Sequence, residues 1–286
     1  MWLTFALGSA LLLAVRRIYE KELTAHFGNF SLSFLLMLFS VPGVLILFFF
    51  FPIPQDIFAL PWDFWWPLIV IWVVLYPLQN YFLYRSLREG ELSEVVPASS
   101  LLPVFNMASS YLLIGEIPTK LGIVGIVTIV IATYLLLKDT PTGGKFRINM
   151  PVLFMIIATL LPALGSTLDK ISIEVSTPVF YSFVNQLGVS IVFLVCVFVF
   201  GQHTDFKHVP ERLWTLVILG FVLAFGFTAS MAAFAFGPTS YTLAIRSGGF
   251  LLPVVWGLFF LRESHSRKKI LALTLFAIGT VALAIS

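Results

Sequence analysis

The chain has 286 residues, 59% of them hydrophobic and 16% aromatic, with only 11% charged, a formal net charge of +3 and a mean hydropathy of +1.00. Soluble domains run at about half apolar and about 25% charged because their surface must face water, so a soluble enzyme is excluded and a polytopic membrane protein is indicated. The basic residues sit in short clusters between apolar runs, where they act as orientation signals and do not imply nucleic acid.

A helix crossing hydrocarbon needs about 20 mostly apolar residues, and runs that are apolar throughout indicate helices, whereas barrel strands alternate. Ten runs follow in order: 2–18, 30–51, 64–86, 92–114, 119–138, 149–172, 178–200, 212–236, 239–261 and 268–285. The first has no basic residue before it and no small-residue cleavage pattern after it, and it reads as a retained helix. Turn formers punctuate the connections at Pro52 and Pro54, Pro118, Thr140 to Gly144, and Gly237 with Pro238. The stretch from Pro141 to Gly144 is the natural midpoint, dividing the chain into 1–140 and 141–286. Cys196 stands alone in the seventh run and cannot form an intramolecular disulfide. His26, His203, His208 and His265 all fall in loops, so neither metal nor cofactor is expected, and no intramembrane hydrolase pattern stands out.

Two pairs of segments align without gaps. At an offset of 147, Gly90 meets Gly237, Ser93 meets Ser240, Ser100 meets Ser247, Glu116 meets Glu263 and Thr133 meets Thr280. At an offset of 157, Ala6 to Ser9 matches Ala163 to Ser166. Hydrophobicity does not demand Gly, Ser or Glu at these places, so the expectation is an all-α polytopic membrane protein of ten transmembrane helices in two five-helix repeats. An odd number of helices per repeat inverts the second copy, a design used for alternating access.

Leu7-Gly8-Ser9 in the first run, Leu102-Pro103-Val104-Phe105 in the fourth, Leu113-Ile114-Gly115-Glu116 at its end and Leu261-Arg262-Glu263 in the second half form an ordered set. In this set the chain resembles the drug/metabolite transporter superfamily, in its ten-helix EamA-like branch. It departs from that pattern in the second half, where Phe250 replaces the proline and Pro253 follows three residues later. The resemblance implies a central cavity lined by helices 1, 3, 4, 6, 8 and 9, and amino acids or related small solutes as cargo. It also implies a cationic position near the cavity mouth at Arg16 and Arg17, with ordinary anchoring at the membrane interface as the alternative. The first helix carries no ionisable residue from Trp2 to Val15, so the buried Glu of the related small multidrug exporters has no counterpart there.

Polar side chains are costly in hydrocarbon, so those within the runs are the candidates for substrate contact. Arg246 leads, since a guanidinium holds a carboxylate or phosphate bidentately; its alternative is snorkelling from a position roughly 8 Å inside the helix start. Asp169 and Lys170, after Gly165-Ser166-Thr167, read as an internal ion pair, a counter-charge for Arg246, or a polar helix exit. Tyr76, Asn80 and Tyr84 share one helical face and offer a polar aromatic stripe, with helix packing as the alternative. Asn185 and Gln186 in the seventh run favour packing. Ser99 and Asn106 stand beside Pro97 and Pro103, where freed carbonyls are useful only if buried or wet. Glu116 and Glu263 sit at helix exits, where capping the next helix would suffice.

Fourteen of the seventeen Lys and Arg residues fall on the odd-loop side, which by the positive-inside rule places both termini outside, whereas the resemblance implies both inside. Orientation is therefore open. The expected protein is a plasma-membrane transporter or exporter whose partners are a small-molecule substrate and the lipid bilayer, with a homodimer among the open oligomeric states. The alternatives are a phosphorylated-sugar or nucleotide-sugar exchanger and, outside transport, a lipid-handling or scaffolding protein.

Overall fold

The computed structural model describes residues 1–51, 60–90, 95–138, 149–247 and 267–286. Within these bounds the chain is helical and carries no strand. The helices are α1 (Trp2–Leu23), α2 (Asn29–Leu47), α3 (Trp62–Glu89), α4 (Leu102–Ile114), α5 (Lys120–Lys138), α6 (Met150–Glu174), α7 (Pro178–Val199), α8 (Val209–Phe236), α9 (Thr239–Ser247) and α10 (Arg267–Ala284). Short 3-10 segments, Val96–Leu101 and Gln202–His208, precede α4 and α8. Each predicted run thus holds a helix. Among the described residues, α2, α3, α6, α7 and the stretch Gln202–Phe236 are long and apolar enough to cross a bilayer. The expectations about the linker, Phe250, Pro253 and Glu263 lie outside the described residues.

The surface confirms the solvent. On α7 the large apolar side chains Leu187, Ile191, Val195 and Phe198 are exposed, while Ser182, Asn185, Gln186 and Ser190 are buried. That is a globular helix turned inside out, with apolar groups facing lipid and polar groups answering one another inside. On α1, Leu7, Leu11 and Val15 form the same kind of exposed stripe.

Contacts divide the chain into two compact units. The first comprises Met1–Asn80 and Leu168–Phe236, so it holds α1, α2, the start of α3, the end of α6, α7 and α8. Here α1 runs antiparallel to α8, with Phe5 stacked on Phe236 at one end and Arg212 bonded to Glu22 at the other. Helix α2 runs antiparallel to α7, since Phe30 stacks on Phe200 and Phe48 meets Phe183. Between those ends Ser40 bonds Gln186, and the Trp72 indole of α3 donates to Asn185 Oδ1 at 2.8 Å. The approach of α2 to α8 is close: a Cβ on Gly220 would lie 2.5 Å from the Phe39 carbonyl.

Two departures from the predicted elements have local causes in this unit. Helix α1 runs past the predicted end at residue 18 to Leu23, with Arg16 Nη2 reaching Glu20 Oε1 one turn on at 2.9 Å. Helix α3 widens into a π-turn at Ile71–Leu75, just ahead of Pro77, whose missing N–H already interrupts the ladder.

The second unit comprises Tyr81–Thr167 and Gly237–Ser286. Its α5 and α10 pack antiparallel through glycine: a Cβ on Gly125 would meet Leu283 and one on Gly279 would meet Ile129. The end of α4 meets the start of α9, where Ser110 Oγ lies 3.0 Å from Thr239 Oγ1. The fourth predicted run becomes regular α-helix only at Leu102, after the 3-10 segment that contains Pro97. Helix α3 ends beside the start of α6, with Ser86 Oγ donating to the Pro151 carbonyl at 2.7 Å and Arg85 lying 4.8 Å over the Phe154 ring.

Candidate functional site

Among the predicted site residues, Asn80, Asp169 and Lys170 fall in the first unit and Tyr84, Ser99, Asn106 and Arg246 in the second. In the first, Asp169 is 5% exposed and its Oδ1 accepts from the hydroxyl of Tyr181, which is itself fully buried. Tyr181 stands edge-on to Phe64, and Phe64 in turn stacks on Phe180. An aspartate thus sits against an aromatic wall, held by a phenol that the sequence did not single out, since Tyr181 lies at the start of α7 among ordinary apolar neighbours. Lys170, next in the chain, is half-buried. Asn80 is occupied by its own surroundings: Nδ2 donates to the Tyr76 carbonyl at 3.1 Å, Oδ1 accepts from Ser33 at 3.4 Å, and its carbonyl accepts from Asn29 Nδ2 at 3.3 Å. The expected spacing of four between Tyr76 and Asn80 is realised as this back-bond.

In the second unit Asn106 is completely buried. Its Nδ2 donates to the Ala163 carbonyl at 2.9 Å and to Thr167 Oγ1 at 3.2 Å, while Ser109 and Ser110, three and four residues on, bond back to its carbonyl. The spacing of Ser109 and Ser110 from Asn106 was the available sign of this network. Its effect is to bind α4 to α6 at a place where Pro162 has removed a backbone donor. Ser99 is half-buried on the 3-10 segment, and Tyr84, 52% exposed, stands outward on α3.

Helix α9 differs from its neighbours because every residue from Thr239 to Ser247 is buried except Arg246, which is partly exposed. Its start is fixed from the α4–α5 corner. Gly115, at φ +68°, ends α4 in the left-handed conformation that glycine adopts without strain, and the chain reverses. Glu116 then accepts from Thr239 N at 3.3 Å and Thr239 Oγ1 at 3.0 Å. Thr119 N donates to the Tyr241 hydroxyl at 3.1 Å, which presses so closely on Gly122 that no Cβ fits there. Glu116 therefore does cap a helix, but that helix is α9, from the other half of the sequence, and not the adjacent α5.

Among the described residues no three His, Cys, Asp or Glu side chains gather to hold a metal ion.

No curated protein is significantly similar to the chain. Twenty-eight chains of solved structures match it. One of them, a crystal structure described only as that of a protein, is 15% identical, covers 99% of this chain and 96% of its own, and superposes with a TM-score of 0.79. At that identity the likeness shows the fold alone. Residues 1–138 match the model of the EamA-like transporter family, and over that half the chain is similar to this branch of the drug/metabolite transporter superfamily.

Proposed function

We propose that the protein is a secondary transporter of small organic metabolites, amino acids or related solutes, at the plasma membrane, working by alternating access of two inverted five-helix repeats, 1–140 and 141–286. The helix pairings support the repeat. Numbering each half from one to five, α2 pairs with its counterpart α7, α4 with α9 and α5 with α10. Helix α1 packs on α8, and α3 meets α6 through side chains, Ser172 on the Phe64 carbonyl and Ser86 on the Pro151 carbonyl. An inverted copy lies antiparallel to its original, as α2 and α7 do, and as α5 and α10 do.

The observation that carries the site is Arg246, the one partly exposed residue on a helix otherwise buried from Thr239 to Ser247. A guanidinium held in that position suits the carboxylate of the cargo. In the other unit, Asp169 with Lys170 beside it is a separate candidate for contact with a charged group. In the unit that holds Arg246, Ser99 offers a further polar side chain and Asn106 holds α4 against α6. In proteoliposomes screened with labelled amino acids, Arg246→Ala is expected to abolish transport of the accepted solute, and Arg246→Lys to restore part of it. Unchanged kinetics in a correctly folded Arg246→Ala protein would refute the assignment.

A further inference from the structure

The turn between α1 and α2 is tied to the start of α8 by a cluster of charged and titratable side chains, all inside the first unit. Arg212 donates from Nη1 to Glu22 Oε1 at 2.9 Å and from Nη2 to His26 Nε2 at 3.0 Å. A guanidinium has no acceptor, so Nε2 must accept, and the His26 ring is the neutral form with its proton on Nδ1. The His208 ring lies 5.8 Å from that of His26 and edge-on to Phe27 at 6.4 Å. Its Nδ1 is 4.0 Å from Glu211 Oε2. Around His26 therefore stand Glu22 from α1, Arg212 and Glu211 from α8, and His208 from the 3-10 segment, with exposed Lys207 beside His208 in the chain.

Just beyond His26, the same 3-10 segment supplies the missing cap of α2, whose own N-cap Gly28 has no side chain. Asp205 Oδ2 accepts from Gly28 N at 2.7 Å and Ser31 Oγ at 2.6 Å, and Gln202 Oε1 accepts from Phe30 N at 2.9 Å and Ser31 N at 3.1 Å. The turn is thus fastened twice. One fastening is a fixed set of caps, and the other depends on His26 remaining neutral.

We propose that the second fastening is a pH-operated latch, in which protonation of His26 replaces its hydrogen bond to Arg212 with a contact between two cations and frees the α1–α2 turn from α8. The closed latch admits only the neutral ring, whereas the released turn admits both forms. The open state therefore binds more protons, and acidification favours it. Histidine is the side chain that changes charge between about pH 5 and 8. Glu22 offsets part of the repulsion through its bond to Arg212, and a second charge on His208 adds to it.

Leu23 is fully buried at the foot of this turn, so a cysteine there reports opening. In a Cys196→Ser, Leu23→Cys protein, labelling by a water-soluble thiol reagent is compared with and without His26→Gln, which keeps an acceptor for Arg212 but never charges. Taking the ratio at each pH cancels the ionisation of the thiol. The rate with His26 intact is expected to equal that of the variant near pH 8 and to exceed it about tenfold near pH 5, the loss of roughly one charge-assisted hydrogen bond. A ratio that stays at one overturns the latch. Should Leu23→Cys misfold, melting temperatures of the native chain and His26→Gln across the same range decide: a steeper acid fall in the native chain supports the latch, and parallel curves overturn it.

Discussion

Gly220→Ala and Gly8→Ala are the same substitution in two helices, and the structure gives them opposite signs. At Gly220 the new methyl would lie 2.5 Å from both the carbonyl carbon and the oxygen of Phe39, and 2.7 Å from its Cβ. Carbon atoms rest at about 3.5–4.0 Å, so α8 and α2 must part by about 1 Å. Because two of the obstructing atoms are backbone, no rotamer change relieves the clash. Overpacking of this kind costs about 1–3 kcal/mol, against about 1 kcal/mol gained in helix propensity, leaving a net loss of about 2 kcal/mol at the upper end, where a backbone contact belongs. At Gly8 nothing lies within 4 Å of the new methyl, and the propensity gain of about 1 kcal/mol stands alone. Equilibrium unfolding in mixed micelles, followed by tryptophan fluorescence, measures both. A Gly220→Ala protein as stable as the native chain, or a Gly8→Ala protein less stable, would refute the reasoning.

Glu116→Ala removes the acceptor for Thr239 N and Oγ1 and is expected to cost about 1–2 kcal/mol in the same unfolding assay, with Glu116→Gln recovering most of it. Gly122→Ala drives a methyl into the Tyr241 hydroxyl, 1.9 Å away, so it should cost at least as much, and Tyr241→Phe in the same chain should not restore it, because the ring carbon Cζ is only 2.4 Å away. Trp72→Phe leaves Asn185 Oδ1 without its indole donor and should lower stability by about 1 kcal/mol, measured against Asn185→Leu and the double variant in a cycle.

Among the described residues apolar run length placed a helix in each run, since hydrocarbon demands continuous hydrophobicity and little else does. What escaped the sequence was the partner of each polar group. The spacing of Tyr76 and Asn80 announced a shared face, and the back-bond is local enough to follow from it. Glu116 announced a cap, yet sequence proximity pointed to α5, while the reversal at Gly115 turns the carboxylate toward a helix more than a hundred residues away. Gln202 and Asp205, which nothing in the sequence singled out, cap α2. The first run stopped at residue 18, where apolar character gives way to charge; the ion pair of Arg16 with Glu20 lets the helix run on to Leu23. The π-turn in α3 had only Pro77 as a sign, and proline also occurs in turns, breaks and simple kinks.

The polar spine of α7 bears on how the protein is made. Ser40 and Trp72 are synthesised 146 and 113 residues ahead of the side chains that answer them, Gln186 and Asn185. The serine hydroxyl can wait on its own helix, where it already lies 2.6 Å from the Met37 carbonyl. The indole N–H waits for roughly 6–20 s at ordinary elongation rates. An unsatisfied donor in hydrocarbon is costly, so during that interval α3 gains by keeping the Trp72 end of its π-turn close to headgroups or to translocon water. Helices α2 and α3 complete these two polar contacts only when the seventh helix arrives.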